Sequence, residues 1–164
     1  MTGWLKHHRS TRGRYGALVD LAPEMVRIAR ARHPGLDFAA GSMTALDAPD
    51  ASWGGALALY SIIHMSREDR RRAFGEIARA LRPGGWLLVA FHVSSADHPT
   101  GSSVHLETWF DASVDLTAYF LDPEEILGEL REAGLELRAR LDREPWTDAE
   151  YPSRRCYALA RRAG

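Results

Sequence analysis

A doubly wound α/β domain on a mostly parallel sheet is the fold class this sequence predicts, and three observations predict it. From residue 15 onward short apolar runs alternate with amphipathic segments, the pattern of strands joined by crossover helices. Two runs, the first part of residues 53–63 (WGGALALYSII) and residues 86–91 (WLLVAF), are too uniformly apolar for strands with one wet face and read as strands buried on both faces. Near the end the rhythm breaks. Leu135, Leu137, Ala139 and Leu141 alternate with polar residues, and a second run over 156–160 follows with no helix between, so these two strands must form an antiparallel hairpin.

Taken in order, the elements carry their own start and stop signals. Residues 15–19 (YGALV) form a short strand ending at Asp20. Ala22-Pro23-Glu24 opens a helix with proline at its first position and a carboxylate in its first turn, and Met25, Val26, Ala29 and Ile28 form its expected buried stripe. Arg30, Arg32 and His33 suit the negative end of the helix dipole, and Pro34-Gly35 stops the helix before a strand over residues 36–40. Ser66 and Asp69 make a capping box for a second helix with Ala73, Phe74, Ile77, Ala78 and Leu81 inward, closed by Arg82-Pro83-Gly84-Gly85. Asp122-Pro123-Glu124-Glu125 caps a third, with Ile126, Leu127 and Leu130 inward and Gly134 at its end. The hairpin loop over residues 144–153 is long for its type.

Composition bounds the function. The 164 residues are 45% apolar and 26% charged with a formal net charge of −1, which fits one domain with a real core over residues 1–164 and no general attraction to nucleic acid or an anionic membrane. The expected partner is a small molecule. A single cysteine, Cys156, excludes an internal disulfide framework and a cysteine-based metal cluster. No apolar run reaches membrane-spanning length and the first ten residues lack a signal-peptide centre, so the expected location is cytoplasmic. Of the 21 lysines and arginines only Lys6 is a lysine, a bias that fits GC-rich coding better than arginine-specific recognition.

Four pieces, VDLAPEMVRIAR (19–30), FAAGSMTALDAPD (38–50), ALALYSIIH (56–64) and EIARALRPGGWLLVAF (76–91), together with the terminal hairpin, resemble class I methyltransferases that use S-adenosylmethionine, specifically small bacterial members with a methyltransferase domain of the type 11, 12 or 25 kind. The resemblance covers the chain from about residue 15 onward. It implies a Rossmann-like sheet with the cofactor crevice at the C-terminal strand ends, S-adenosyl-L-methionine as cofactor and a small-molecule methyl acceptor as substrate.

The resemblance also distributes roles. Asp20 sits where a carboxylate accepts hydrogen bonds from both ribose hydroxyls, and it is equally well placed to be a helix-entry turn residue. Leu21 and Met25 would press on adenine and ribose, although helical spacing makes Met25 an equal candidate for core. Gly41, Ser42 and Met43 would surround the adenine, with Ser42 where relatives often carry an acidic residue; a hydroxyl accepts the same bond more weakly. Tyr60 and Ser61 would face the methionine half of the cofactor. His64, with His92 second, is the candidate catalytic base if the acceptor holds a proton; for either one taken alone, a capping or hydrogen-bonded structural histidine is the favoured reading. Trp109, Phe110 and Tyr119 lie in an aromatic-rich segment, residues 104–120, where such domains build an acceptor-side cover. No histidine has partners at metal-ligand spacing, so no metal is expected.

One family feature is not in these 164 residues, namely the first strand with its glycine-rich turn into a helix. Gly13 and Gly16 have neither a strand before nor a helix after them. Residues 1–8 (MTGWLKHH) resemble the later part of the helix that follows that turn, and residues 9–14 read as a basic join. The expectation is therefore a sheet whose first, central strand is missing, leaving a vacancy one strand wide between the residue 15 and residue 56 strands. Three sources would explain or fill it: a longer native chain with a misassigned start, a degenerate remnant, or a neighbouring chain. An uncovered edge of this kind favours self-association, and the lost turn predicts weak cofactor binding. Two other readings stand beside an active methyltransferase, a catalytically inactive remnant or non-catalytic binding subunit and a nicotinamide-dependent oxidoreductase; the hairpin and the GSM and LRPGG pieces count against the last.

Overall fold

The computed structural model describes residues 5–8, 17–109, 112–146 and 149–164, with the backbone alone for 5–8, 109 and 112. Its elements in chain order are β1 (Leu5–His8), β2 (Leu18–Asp20), α1 (Pro23–Arg32), β3 (Phe38–Ala40), β4 (Trp53–Leu59), a 3₁₀ turn (Ile62–His64), α2 (Arg67–Ala80), β5 (Leu81–Ser95), β6 (Ser103–Trp109), β7 (Ala112–Tyr119), α3 (Pro123–Glu132), β8 (Leu135–Arg143) and β9 (Ser153–Arg162). Seven strands form one sheet in the order β3-β2-β1-β4-β5-β9-β8, and β6-β7 form a separate two-stranded ribbon. β2 with β3 and β4 with β5 pair in parallel. β9 runs antiparallel to both β5 and β8, as the sequence pattern required of the terminal hairpin.

The central position is not vacant. β1 lies between β2 and β4 and runs antiparallel to both, with Leu5 opposite Val19 and Ala58, and His8 opposite Gly55. For residues 5–8 this corrects the expected helix remnant, whose first four residues lie outside the described ones, and it corrects the expected gap, which the chain's own residues fill. The reason is pairing. A segment this short cannot hold a helix by itself, whereas as a strand it satisfies backbone groups of two neighbours that would otherwise face each other unpaired beside the core. Self-association was expected from that open edge, and the expectation loses its ground once β1 is paired on both sides.

Helix starts follow their caps. Ser66 Oγ accepts from the Asp69 backbone N–H at 3.1 Å, and Asp122 accepts from that of Glu124 at 2.8 Å. α1 begins at Pro23, but its buried residues are Val26 and Ala29, while Met25 is 37% exposed and so leaves the expected stripe. α2 ends at Ala80, and the RPGG stretch belongs to β5, which is longer than its apolar run because Leu81 already pairs with Trp53. At Gly85 a Cβ would come within 2.9 Å of the Arg82 carbonyl, so only glycine lets the strand turn there.

The main core gathers between β4, β5 and β9 and helices α2 and α3, with Phe74, Ile77, Leu87, Phe91, Ile126 and Leu130 at 0–1% exposure. A buried ion pair fastens the helices: Arg70, 3% exposed, donates to Glu129 at 3.0 and 3.1 Å and to Glu125 at 2.6 Å. Burial pushes the Glu129 carboxyl up, and the Arg70 guanidinium opposes that shift. No helix among the described residues is long and apolar enough to cross a membrane.

Candidate active site

Two groups of residues gather at the C-terminal ends of the parallel strands, where open α/β sheets bind ligands. The first group lies at the ends of β2 and β3. Asp20 is 3% exposed; its Oδ1 accepts from the Ala22 backbone N–H at 2.8 Å, while its Oδ2 is buried without a partner. Leu21 and Met25 stand beside it at 76% and 37% exposure, unusual for large apolar side chains over a core edge. Gly41 follows β3, its backbone donating to the Asp20 carbonyl at 3.0 Å. A Cβ at Gly41 would meet Val19 at 3.3 Å, so the glycine keeps that approach open. Ser42 Oγ is already engaged by Thr44, through its hydroxyl at 2.7 Å and its backbone N–H at 3.1 Å, and Met43 packs on the main core.

The second group forms at the ends of β4 and β5. Tyr60 sits at a left-handed φ of 54°, uncommon for a residue with a Cβ, and turns the chain from β4 into the 3₁₀ turn. Its hydroxyl pairs with that of Tyr157 at 2.7 Å, and burial together with that bond pushes its ionisation up to about 12. Ser61 follows with a buried Oγ that has no partner. A buried oxygen left unbonded is costly. Among the described residues such side-chain oxygens are Asp20 Oδ2, Ser61 Oγ and Ser95 Oγ. The first two belong to the residues for which the resemblance implies cofactor contacts, so the site fits a ligand that supplies hydroxyl or other polar partners there.

Beyond Tyr60 lies a cavity of about 370 Å³. Its floor includes Ile63, His64 and His92, the β6-β7 ribbon covers it with Val104, Leu106, Ala118 and Tyr119, and the hairpin closes a side with Glu150 and Tyr151 from its loop and Arg155 from β9. His64 Nδ1 lies 2.9 Å from the Thr117 carbonyl, which can only accept, so Nδ1 carries the proton and Nε2 the lone pair. Burial lowers the His64 imidazole, against the opposing effect of that bond. His92 meets the Ser153 hydroxyl through Nδ1 at 2.6 Å and lies 4.9 Å from the Tyr60 ring; burial, then the Arg155 charge, lowers it to about 4. His64 and His92 are thus brought to one cavity. Tyr119 lines it too, whereas Phe110 and the side chain of Trp109 lie outside the described residues.

Sequence reading missed the groups that close this cavity. Arg155, 4% exposed, pairs with Glu150 at 2.7 Å and donates to the carbonyls of Ser153 at 3.1 Å and Tyr151 at 2.9 Å. Arg143 also binds Glu150, holding that carboxyl down at about 2, and donates to the Tyr157 hydroxyl at 3.0 Å. The one available signal was the excessive length of the hairpin loop.

The methyltransferase domain family model matches residues 2–85, just over half of the chain. The chain belongs to the methyltransferase domain family. The match begins at residue 2, ahead of the residue 15 boundary read from the motifs, and it includes β1. Among curated relatives, the O-methyltransferase cnsE of Penicillium expansum is 32% identical over 126 residues, 73% of this chain. The chain spans 43% of that relative's length. Among solved structures, a SAM-dependent methyltransferase of Methanosarcina mazei aligns with a TM-score of 0.74 at 18% identity, covering 88% of this chain and 80% of the other. A 1,6-didemethyltoxoflavin-N1-methyltransferase of Burkholderia thailandensis, solved with its acceptor and S-adenosylhomocysteine, aligns at 0.60 with 22% identity, covering 89% and 60%. These two likenesses carry the fold, a Rossmann-like α/β domain, as the sheet order also does.

Proposed function

We propose that this site transfers the methyl group of S-adenosylmethionine to a small molecule held in the cavity between Tyr60, the β6-β7 ribbon and the hairpin loop. The observation that carries the reading is the succession of buried, unpartnered oxygens at Asp20 and Ser61 with a cavity starting at the adjoining Tyr60. Asp20 would hold ribose hydroxyls through Oδ2, Leu21 and Met25 would cover the adenine, and Ser61 would accept or donate along the methionine half. The cofactor supplies a methyl group on a sulfonium whose departure leaves a neutral thioether. The chain's own task is then proximity, alignment and exclusion of water more than acid-base force. His64, with Nε2 unprotonated, takes a proton from an acceptor that has one. The name of the Penicillium relative supports an oxygen acceptor.

Cofactor affinity in this arrangement rests on side chains. β1 brings its Leu5 end to the level of the crevice, because it runs opposite to β2 and β4, so no C-terminal strand turn from it offers backbone N–H groups there. Calorimetric titration of S-adenosylhomocysteine is expected to give a dissociation constant weaker than micromolar, and micromolar or tighter binding refutes that expectation. The same geometry is what favours a second reading, a non-catalytic binding subunit. Transfer of labelled methyl from S-adenosylmethionine to any small molecule of a source-cell extract excludes the second reading, and its absence with cofactor bound excludes the first.

A further inference from the structure

The charges around the cavity restrict what it can hold. Every strongly ionic group at its wall is spoken for: Glu150 binds both Arg155 and Arg143, and Arg155 spends its remaining described bonds on the carbonyls of Ser153 and Tyr151. Among the described residues that line the cavity, no free guanidinium waits for a carboxylate or phosphate and no free carboxylate waits for an ammonium. Two arginines share one glutamate, so the local field stays positive. That field works against a cationic guest and in favour of an oxygen that becomes anionic. The remaining wall is apolar and aromatic, with Ile63, Val104, Leu106, Phe120 and the stacked pair of His98 on Phe120 at 4.8 Å between centroids. Flat rings fit such walls.

We propose, resting on the methyl-transfer reading above, that the acceptor is an uncharged hydroxylated aromatic molecule that is deprotonated by His64 Nε2 as its oxygen takes the methyl group. The bookkeeping closes with groups already named. The hydroxyl proton passes to Nε2, an oxygen electron pair forms the new C–O bond, and the S–CH₃ bond breaks with its electrons left on sulfur. The products are an aryl methyl ether, a neutral thioether and an imidazolium that returns its proton to water. The groups that face His64 across the cavity are His92 and Tyr60 from the sheet, Tyr119 from the ribbon, His98, and Glu150, Tyr151 and Arg155 from the hairpin side. Burial keeps the imidazole neutral at pH 7, ready to accept.

A series on one naphthalene ring tests the acceptor class on the full chain with no methyl donor present: 1-naphthol, 1-naphthoate and 1-naphthylmethylammonium, titrated by calorimetry at pH 7. The neutral naphthol is expected to bind at least about ten-fold tighter than either ion. A charged probe that matches or exceeds it overturns the proposal, and so does failure of all three to bind. With S-adenosylmethionine added, His64→Gln is expected to lose about 100-fold or more in transfer to naphthol at pH 7, while binding naphthol within about three-fold of the parent, which also reports an intact fold. The deficit is expected to shrink as pH approaches about 10, where a phenol ionises unaided. A deficit constant with pH, or no deficit, overturns the role of His64. Preference for naphthol with no transfer at any pH rejects the methyl-transfer reading and leaves the selectivity of the cavity standing, whereas transfer to a charged probe does the reverse.

Discussion

The two sides of β4 are built differently. On one side β1, β2 and β3 have three or four residues each, and β2 and β3 meet a small cluster of Val26, Ala29 and Phe38. On the other, β4, β5, β9 and β8 run seven to fifteen residues and share the main core with α2 and α3. The short side carries Asp20, Leu21 and Met25, which have exposed or unpartnered groups. The long side carries the cavity, where Tyr60 bonds Tyr157 and Glu150 bonds Arg155 and Arg143, and it also holds the unpartnered Oγ atoms of Ser61 and Ser95. A pocket walled by long strands and ion pairs keeps its shape without its ligand, while the short strands beside the orphaned carboxylate oxygen of Asp20 gain that missing bond only when a ligand arrives.

The largest expected effect that would break this comparison lies on the long side. Arg70→Met leaves the buried Glu129 with only the longer ion pair to Arg67 at 3.6 Å and is expected to cost about 3 kcal/mol in urea unfolding, with Arg70→Met/Glu129→Leu recovering most of it. If the single change costs under about 1 kcal/mol, the helices are not fastened there. On the short side, Asp20→Asn is expected to weaken S-adenosylhomocysteine binding by about 10- to 100-fold, with thermal stability unchanged or raised, since an unpartnered buried carboxylate oxygen is relieved. A drop in stability with affinity intact would make Asp20 a turn residue only.

A pH series separates the sides further. His92 is lowered to about 4, so between pH 6.5 and 4 the unfolded chain binds more protons than the folded one, and stability falls as pH falls through that window. The slope for this one group is at most about 1.4 kcal/mol per pH unit. Glu150, lowered to about 2, loses its stabilising contribution in the same direction between pH 4.5 and 2. His92→Gln is expected to flatten the upper window alone, read from urea midpoints at pH 7, 6, 5 and 4. The smallest effect is Leu21→Ser, expected to leave stability within about 0.5 kcal/mol and to reduce cofactor affinity a few-fold.

Particular residues show what could be read in advance. Pro23, Ser66 and Asp122 marked helix starts because capping chemistry is local, and the terminal hairpin followed from strict alternation without a crossover. β1 was misread because LKHH has no pattern of its own; its conformation comes from two neighbours far away in sequence. The β6-β7 pairing inside the aromatic segment was not drawn from the sequence either, although residues 104–120 were marked as the cover of the site. Tyr60 with Tyr157 escaped notice because nothing local announces a partner 97 positions away, and Glu150 with Arg155 because the loop between them has no regular pattern from which to read a pairing.

By itself the sequence determined the α/β class, the family, the helix limits and which residues face the strand ends, since periodicity, caps and motif spacing are properties of neighbouring residues. Tertiary structure alone decided that residues 5–8 fill the centre of the sheet backwards, that Asp20 and Ser61 keep oxygens without partners, and that Glu150 at the cavity wall is paired with Arg155 and Arg143. Those are matters of pairing and burial, which depend on distances that sequence order does not contain.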